Sequence, residues 1–133
     1  MSKLIAKVSS IQSCDSLHIV KFDLYGQTLS MMSLDLDEKI TIGTIVQLAV
    51  KPSHIAIAKE FNGIVSYSNQ LDVTIRSCEH GQLLSSVKLD FFDTTLESII
   101  TENSSRKMNL KAGDKVKAFI KASELSIDGI IDD

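Results

Sequence analysis

The chain is expected to be a mainly β protein: two related OB-like β-barrel units, each with one short helix. Three observations lead there. Short runs alternate apolar and polar residues, the mark of half-buried strands. Glycine and polar clusters separate these runs at short intervals, as in small barrels. The sequence is also internally duplicated. Residues 46–57 and 116–127 share a pattern of strand, Lys-x-Ser and shorter strand, and each copy begins three residues after a glycine (Gly43, Gly113). Upstream, residues 8–29 align without gaps on 75–96, pairing Ser10 with Ser77, Leu17 with Leu84 and Asp23 with Asp90. Between these blocks the second copy is three residues longer. A period of about 65–70 residues is too long for a solenoid repeat, so it reads as two units: 1–59 and 66–128, with a linker at 60–65.

The elements follow in order. Residues 4–11 alternate, and 17–24 alternate more cleanly, with Leu17, Phe22 and Leu24 against His18, Lys21 and Asp23. Gly26 supplies a turn before a third strand at 28–34. Residues 35–40 are short and acidic and are expected to form one helical turn, stopped at Gly43. Strands at 45–50 and 54–58 close the first unit. In the second unit, 70–78, 86–92 and 95–101 read as strands. Asn103 or Ser104 can cap a short helix reaching Leu110. A turn at 111–114 leads to strands at 115–121 and 124–127, and the tail 129–133 is expected to fray. A β-sandwich is the second architecture this pattern allows. Ile99, Ile100, Val116, Phe119 and Ile120 are expected in the core, and Phe91-Phe92 in core and turn packing.

Composition narrows the function classes. With 133 residues, 44% apolar and 23% charged, the chain is globular. Units of this size bury a small share of their surface, so mutual packing or oligomerisation is expected. The net charge of −3, with both signs interleaved, and 5% aromatics argue against a nucleic-acid binder. No signal-peptide pattern and no membrane-length apolar run occur, which suggests the cytoplasm. Cys14 and Cys78 occupy non-equivalent repeat positions and read as buried or half-buried thiols, not as a disulfide or a metal site. His18, His54 and His80 lack metal-ligand spacing, and no nucleophile–base constellation stands out. The chain is therefore expected to bind, not to catalyse.

A repeated Lys-x-Ser at a strand end suggests a small anion site. The run 110–125 resembles the C-terminal half of a TOBE domain of the molbindin (Mop) kind, and Ile99-Ile100-Thr101-Glu102-Asn103-Ser104 resembles the strand-to-helix junction before it. Ser66-Tyr67-Ser68-Asn69-Gln70-Leu71 is similar to that family's opening motif, Ser-Ala-Arg-Asn-x-Leu. The resemblance covers nearly all of the second repeat and, more weakly, the first.

The resemblance implies a tandem molbindin: a cytoplasmic protein holding molybdate or tungstate for storage, buffering or sensing, without an organic cofactor. Sites would lie at interfaces between TOBE units in a homo-oligomer, a trimer or a dimer. Lys121 would supply charge, and Ala122 and Ser123 would supply N–H and hydroxyl donors. Ser104 would act from a helix start, with Thr101, Ser66, Ser68 and Asn69 around it. Lys51, Ser53 and Ser2 would form a weaker second site. There Pro52 lacks an N–H, and Asp35, Asp37 and Glu38 crowd the matching junction. Ser68 stands where the motif has arginine, and Val73 where it has glycine. The residues leave three other readings open: a regulatory or accessory module of a transporter or transcription regulator, an OB-type nucleic-acid binder, and an oligomer whose anion site has decayed.

Overall fold

The computed structural model describes residues 1–132. The first repeat forms β1 (Ser2–Cys14), β2 (Leu17–Leu24), β3 (Gln27–Ser33) and β4 (Ile45–Val50), a 3-10 turn (Pro52–His54) and β5 (Ala56–Ala58). The second forms β6 (Asn69–His80), β7 (Leu84–Phe91), β8 (Thr94–Thr101), α1 (Glu102–Met108) and β9 (Lys115–Ile120), a 3-10 turn (Ala122–Glu124) and β10 (Ser126–Asp132). The alternation seen in the sequence is the burial pattern. In β1, Leu4, Ala6 and Val8 point inward and Lys3, Ile5 and Lys7 outward. In β7, Val87, Leu89 and Phe91 are buried.

The strands make two five-stranded antiparallel sheets, curled like OB-type half-barrels, in the orders β10-β4-β1-β2-β3 and β5-β9-β6-β7-β8. These sheets do not follow the repeat boundaries. β5, from the first repeat, pairs with β9 of the second, and β10 pairs with β4 of the first. Each half-barrel is completed by a strand of the other. The tail expected to fray from residue 129 is instead part of β10, which runs along β4 as far as Asp132; residue 133 lies outside the described residues. Backbone pairing with the otherwise open edge of β4 outweighs the weak, Asp-rich strand signal of that segment.

The long strands β1 and β6 each carry a β-bulge, between Val8 and Ser10 and between Ile75 and Ser77. The bulge lets one strand bend and serve two neighbours. Beside each sits the repeat glycine. Gly43 (φ +98°) donates its N–H to Val8 O at 2.8 Å, and Gly113 (φ +93°) to Ile75 O at 2.7 Å. These positive φ values explain why a glycine stands there in both copies.

A single apolar cluster runs through both halves, with Phe22, Leu29 and Leu48 from one and Leu71, Leu89 and Phe91 from the other. The hairpin tips also meet. Tyr25 and Phe92, at matching repeat positions, stack with ring centroids 4.3 Å apart, and the Tyr25 hydroxyl donates to the Asp93 carboxylate. Two polar contacts tie the halves further. Buried Asn69 accepts from Ser30 N at 2.7 Å and donates to Ser30 O at 2.9 Å, so its amide acts as a short extra strand beside β3. The matching residue, Ser2, accepts only one bond, from Glu97 N at 2.9 Å.

Some expectations are corrected. Residues 35–40 form no helical turn, and α1 is the only α-helix among the described residues, so the helix expected in each unit exists in one. In the shorter first copy, Asp37 Oδ1 accepts from Lys39 N, a local bond that competes with helix formation. Thr101, not Asn103 or Ser104, caps α1. The helix ends at Met108, before Asn109 in the left-handed conformation, and does not reach Leu110. Ile99 and Ile100 are half-buried, and Cys14 is exposed.

Because β9 needs a foreign edge strand, the fragment 66–133 alone is expected to dimerise, its β10 filling the β5 position of its partner; sedimentation of a stable monomer would contradict the exchange. Asn69→Ala strands the Ser30 N–H and C=O and is expected to cost about 2–4 kcal/mol, against about 1 kcal/mol for Ser2→Ala. Urea midpoints of the two variants test that order.

Candidate functional site

Each Lys-x-Ser stands where the chain leaves one sheet for the other. Lys121 is exposed and extended (φ −67°, ψ 145°), and its carbonyl accepts from Glu124 N at 3.0 Å to close the turn. The first N–H groups of such a turn have no partner within it. Ala122 and Ser123 therefore present N–H donors beside the exposed Ser123 hydroxyl. Lys51 has the same backbone (φ −71°, ψ 143°), and its carbonyl accepts from His54 N at 2.9 Å. Here Pro52 leaves only the Ser53 N–H. The two turns are linked by His54 Nδ1 and Glu124 Oε2, 2.8 Å apart.

The expected site residues divide between two places within one chain. Asn69 lies opposite Ile120 in the β6–β9 ladder, which brings Ser68 and Ser66, both exposed, toward the Lys121 turn. Asn69 itself is fully buried, its amide oxygen and nitrogen both bonded to Ser30. The Lys121 turn packs on β3, which runs on to Asp35. The Lys51 turn packs on β8, which ends at Thr101, and the buried Ser2 lies opposite Val50, just before it. Lys121 and the Thr101–Ser104 junction are thus associated with different strands. The acidic segment, expected to weaken the Lys51 site, lies on the Lys121 side: Asp35 and Asp37 share a groove with Ser123. At the junction, Thr101 Oγ1 accepts from Ser104 N at 3.1 Å and donates to Ser104 Oγ at 2.9 Å. The Ser104 N–H is thus the one used by the cap.

One cluster escaped the sequence reading. Glu102, nearly buried at the start of α1, accepts from Ser85 Oγ, from Arg106 Nε at 2.8 Å and from His80 Nδ1 at 2.7 Å. The Ser85 hydroxyl, then Arg106 and His80, hold its carboxyl down from the ordinary 4.5 to about 2, against the opposing effect of desolvation. The i,i+4 spacing of Glu102 and Arg106 was the one signal available in the sequence. The cluster fixes α1 onto β7 and so sets the junction.

With this geometry in view, residues 66–127 match the TOBE domain family, so the second repeat is a TOBE domain. The chain as a whole has the molbindin fold. It superposes with a TM-score of 0.90 on the structure of the cytoplasmic molybdate-binding protein ModG with molybdate bound, at 23% identity, covering 96% of this chain and 94% of that one. It is also 29% identical over 111 residues to the molybdenum import ATP-binding protein ModC of Brucella abortus and to that of Brucella suis. That alignment takes in 83% of this chain and 29% of each ModC, so the chain spans under a third of their length. Among the described residues, no helix is long and apolar enough to cross a membrane.

The Glu102 carboxylate is stabilised by folding, so its contribution is complete above the unfolded value near 4.5 and is lost as pH falls toward about 2. Urea midpoints between pH 6 and pH 2.5 are expected to fall more steeply for the wild type than for Glu102→Gln. Parallel curves would remove Glu102 as the cause.

Proposed function

We propose that the chain is a cytoplasmic oxyanion-binding protein that reversibly holds molybdate or tungstate, for storage, buffering or sensing. The observation that carries this reading is the pair of exposed Lys-x-Ser turns at the sheet crossovers of a fold shared, nearly end to end, with a molybdate-bound protein. A tetrahedral dianion needs a cation and several N–H or O–H donors around its four oxygens. Lys121 offers the charge, Ala122 and Ser123 the N–H groups, and Ser123 the hydroxyl. Charge-assisted hydrogen bonds of this kind contribute about 1.5–3 kcal/mol each.

Lys121 and the 101–104 junction pack on different strands of one chain, so the primary site is completed by a second copy in a homo-oligomer, a dimer or a trimer. That copy contributes Thr101 and Ser104 side-chain oxygens, while Ser66 and Ser68 come from the opening segment of the chain that supplies Lys121. Asn69 shapes the site by holding β6 to β3. The Lys51 turn, with Ser53 and with Ser2 behind it, forms the weaker site, because Pro52 removes one donor. A second reading, an accessory module acting with a molybdenum transporter, is favoured by the similarity to the ModC proteins, of which this chain matches only a part.

Calorimetric titration with molybdate and tungstate, with sulfate as control, tests the proposal. A Kd below about 1 μM for the wild type, weak sulfate binding, at least about a tenfold loss in Lys121→Ala and a smaller loss in Lys51→Ala are expected. Absence of heat with either anion at millimolar concentration would sink it.

A further inference from the structure

The two half-barrels differ most where three residues are missing. In the second, α1 spans from β7 and β8 toward the end of β5. There Lys59 donates to the carbonyls of Met108 (3.1 Å) and Asn109 (3.0 Å) and lies 3.2 Å from Asp114 Oδ2. In the first, no helix follows β3, and the residue matching Lys59 is Gly129, which has no side chain to reach across. The result is an open groove of about 870 Å³ between the segment after β3 and β10. Its floor is apolar, with Met31, Leu36, Ile40 and Ile127, and its lips carry Leu34 (72% exposed) and Met32 (42% exposed). Three carboxylates line it, Asp35, Asp37 and Asp128, against one lysine, Lys39. Asp128 is already paired with Lys3 at 2.6 Å; no ion pair among the described residues engages Asp35 or Asp37.

We propose that this groove docks a basic, amphipathic helical segment of a partner protein. Two features point to that occupant. The groove is acidic at its rim and apolar below, complementary to a helix with Lys or Arg flanking a Met or Leu stripe. The molecule also supplies a template: the matching place in the other half-barrel is closed by a helix whose last turn carries Arg106, Lys107 and Met108. Methionines adapt their shape to such a stripe. The apolar anchors supply most of the affinity, and the exposed carboxylates select the sign of the partner and speed its approach. The inference does not depend on a bound oxyanion, although Ser123 of the Lys121 turn also lines the groove.

The test is fluorescence anisotropy on the full chain. The probe is a labelled peptide of about 14 residues with Leu and Met at i, i+3, i+4 and i+7 and Lys or Arg elsewhere. Two controls accompany it: the same peptide with Glu for its basic residues, and one with its apolar positions scrambled. Saturable binding of the basic peptide alone is expected. It should weaken at least tenfold in Asp35→Lys/Asp37→Lys and again in Leu34→Ser, while both variants keep the wild-type circular dichroism melt. Three results would overturn the proposal: no binding at millimolar peptide, equal binding of either control, or sedimentation showing that Leu34→Ser dissociates an oligomer, which would assign the groove to a second copy of this chain.

Discussion

The exchange of edge strands is the constraint on which the rest depends. A half-barrel made only from the four leading strands of one repeat would leave β4 or β9 with a row of unpaired N–H and C=O groups, an edge that folded proteins cover or pair. Here the chain satisfies each edge from the opposite repeat. After β4 it must leave its own sheet to reach β9, and after β9 it must leave to reach β4. The Lys-x-Ser turns are those two points of departure. Their exposure, their shared backbone and their contact through His54 and Glu124 all follow from the crossover. The anion-binding chemistry proposed for them sits at a place the topology would create in any case.

Much of this was legible because half-buried strands leave a period-two mark. Val20, Phe22 and Leu24, and their counterparts Val87, Leu89 and Phe91, alternate with polar residues and are the core. The duplication fixed the order of elements in each half. What was not legible is which sheet a short strand joins. Ala56–Ala58 reads the same whether it returns to β4 or crosses to β9, and the decision rests on long-range pairing. For the same reason the tail looked frayed, since Ser126–Asp132 becomes a strand through the open edge of β4. The buried role of Asn69 was hidden too. Its partner is the backbone of Ser30, thirty-nine residues away, and backbone groups have no signature in sequence.

Charge is distributed with the same economy. The net charge is negative, yet several carboxylates are committed within the protein. Glu102 is held by Ser85, Arg106 and His80. Asp114 is lowered by the Lys111 backbone N–H and then by Lys59, and Asp128 by Lys3 and Gln47. Glu97 is lowered chiefly by the Ser86 hydroxyl. Such groups hold the fold together and add little free field at the crossovers. Asp35 and Asp37 differ, because no such ion pair engages them among the described residues and they stand beside the Lys121 turn. The acidic segment and the lysine therefore present opposite fields on neighbouring surfaces.

Duplication within one chain also permits what a symmetric pair of identical units cannot. Where identical repeats meet on a two-fold axis, a residue at the axis meets its own copy: His would face His, and Glu would face Glu. Both arrangements place like groups together, which electrostatics disfavours once they are charged. Here the matching positions have diverged into His54 and Glu124, and the contact at the crossovers becomes an attractive one. The hairpin tips show the same principle, since Tyr25 stacks on its counterpart Phe92 while its hydroxyl reaches Asp93, a bond two phenylalanines could not make. Divergence has also changed the opening segments, where Asn69 makes two bonds to a backbone and Ser2 makes one. Fusion of the repeats has thus allowed contacts near the pseudo-axis to become complementary, at the cost that the two crossover sites are no longer chemically equal.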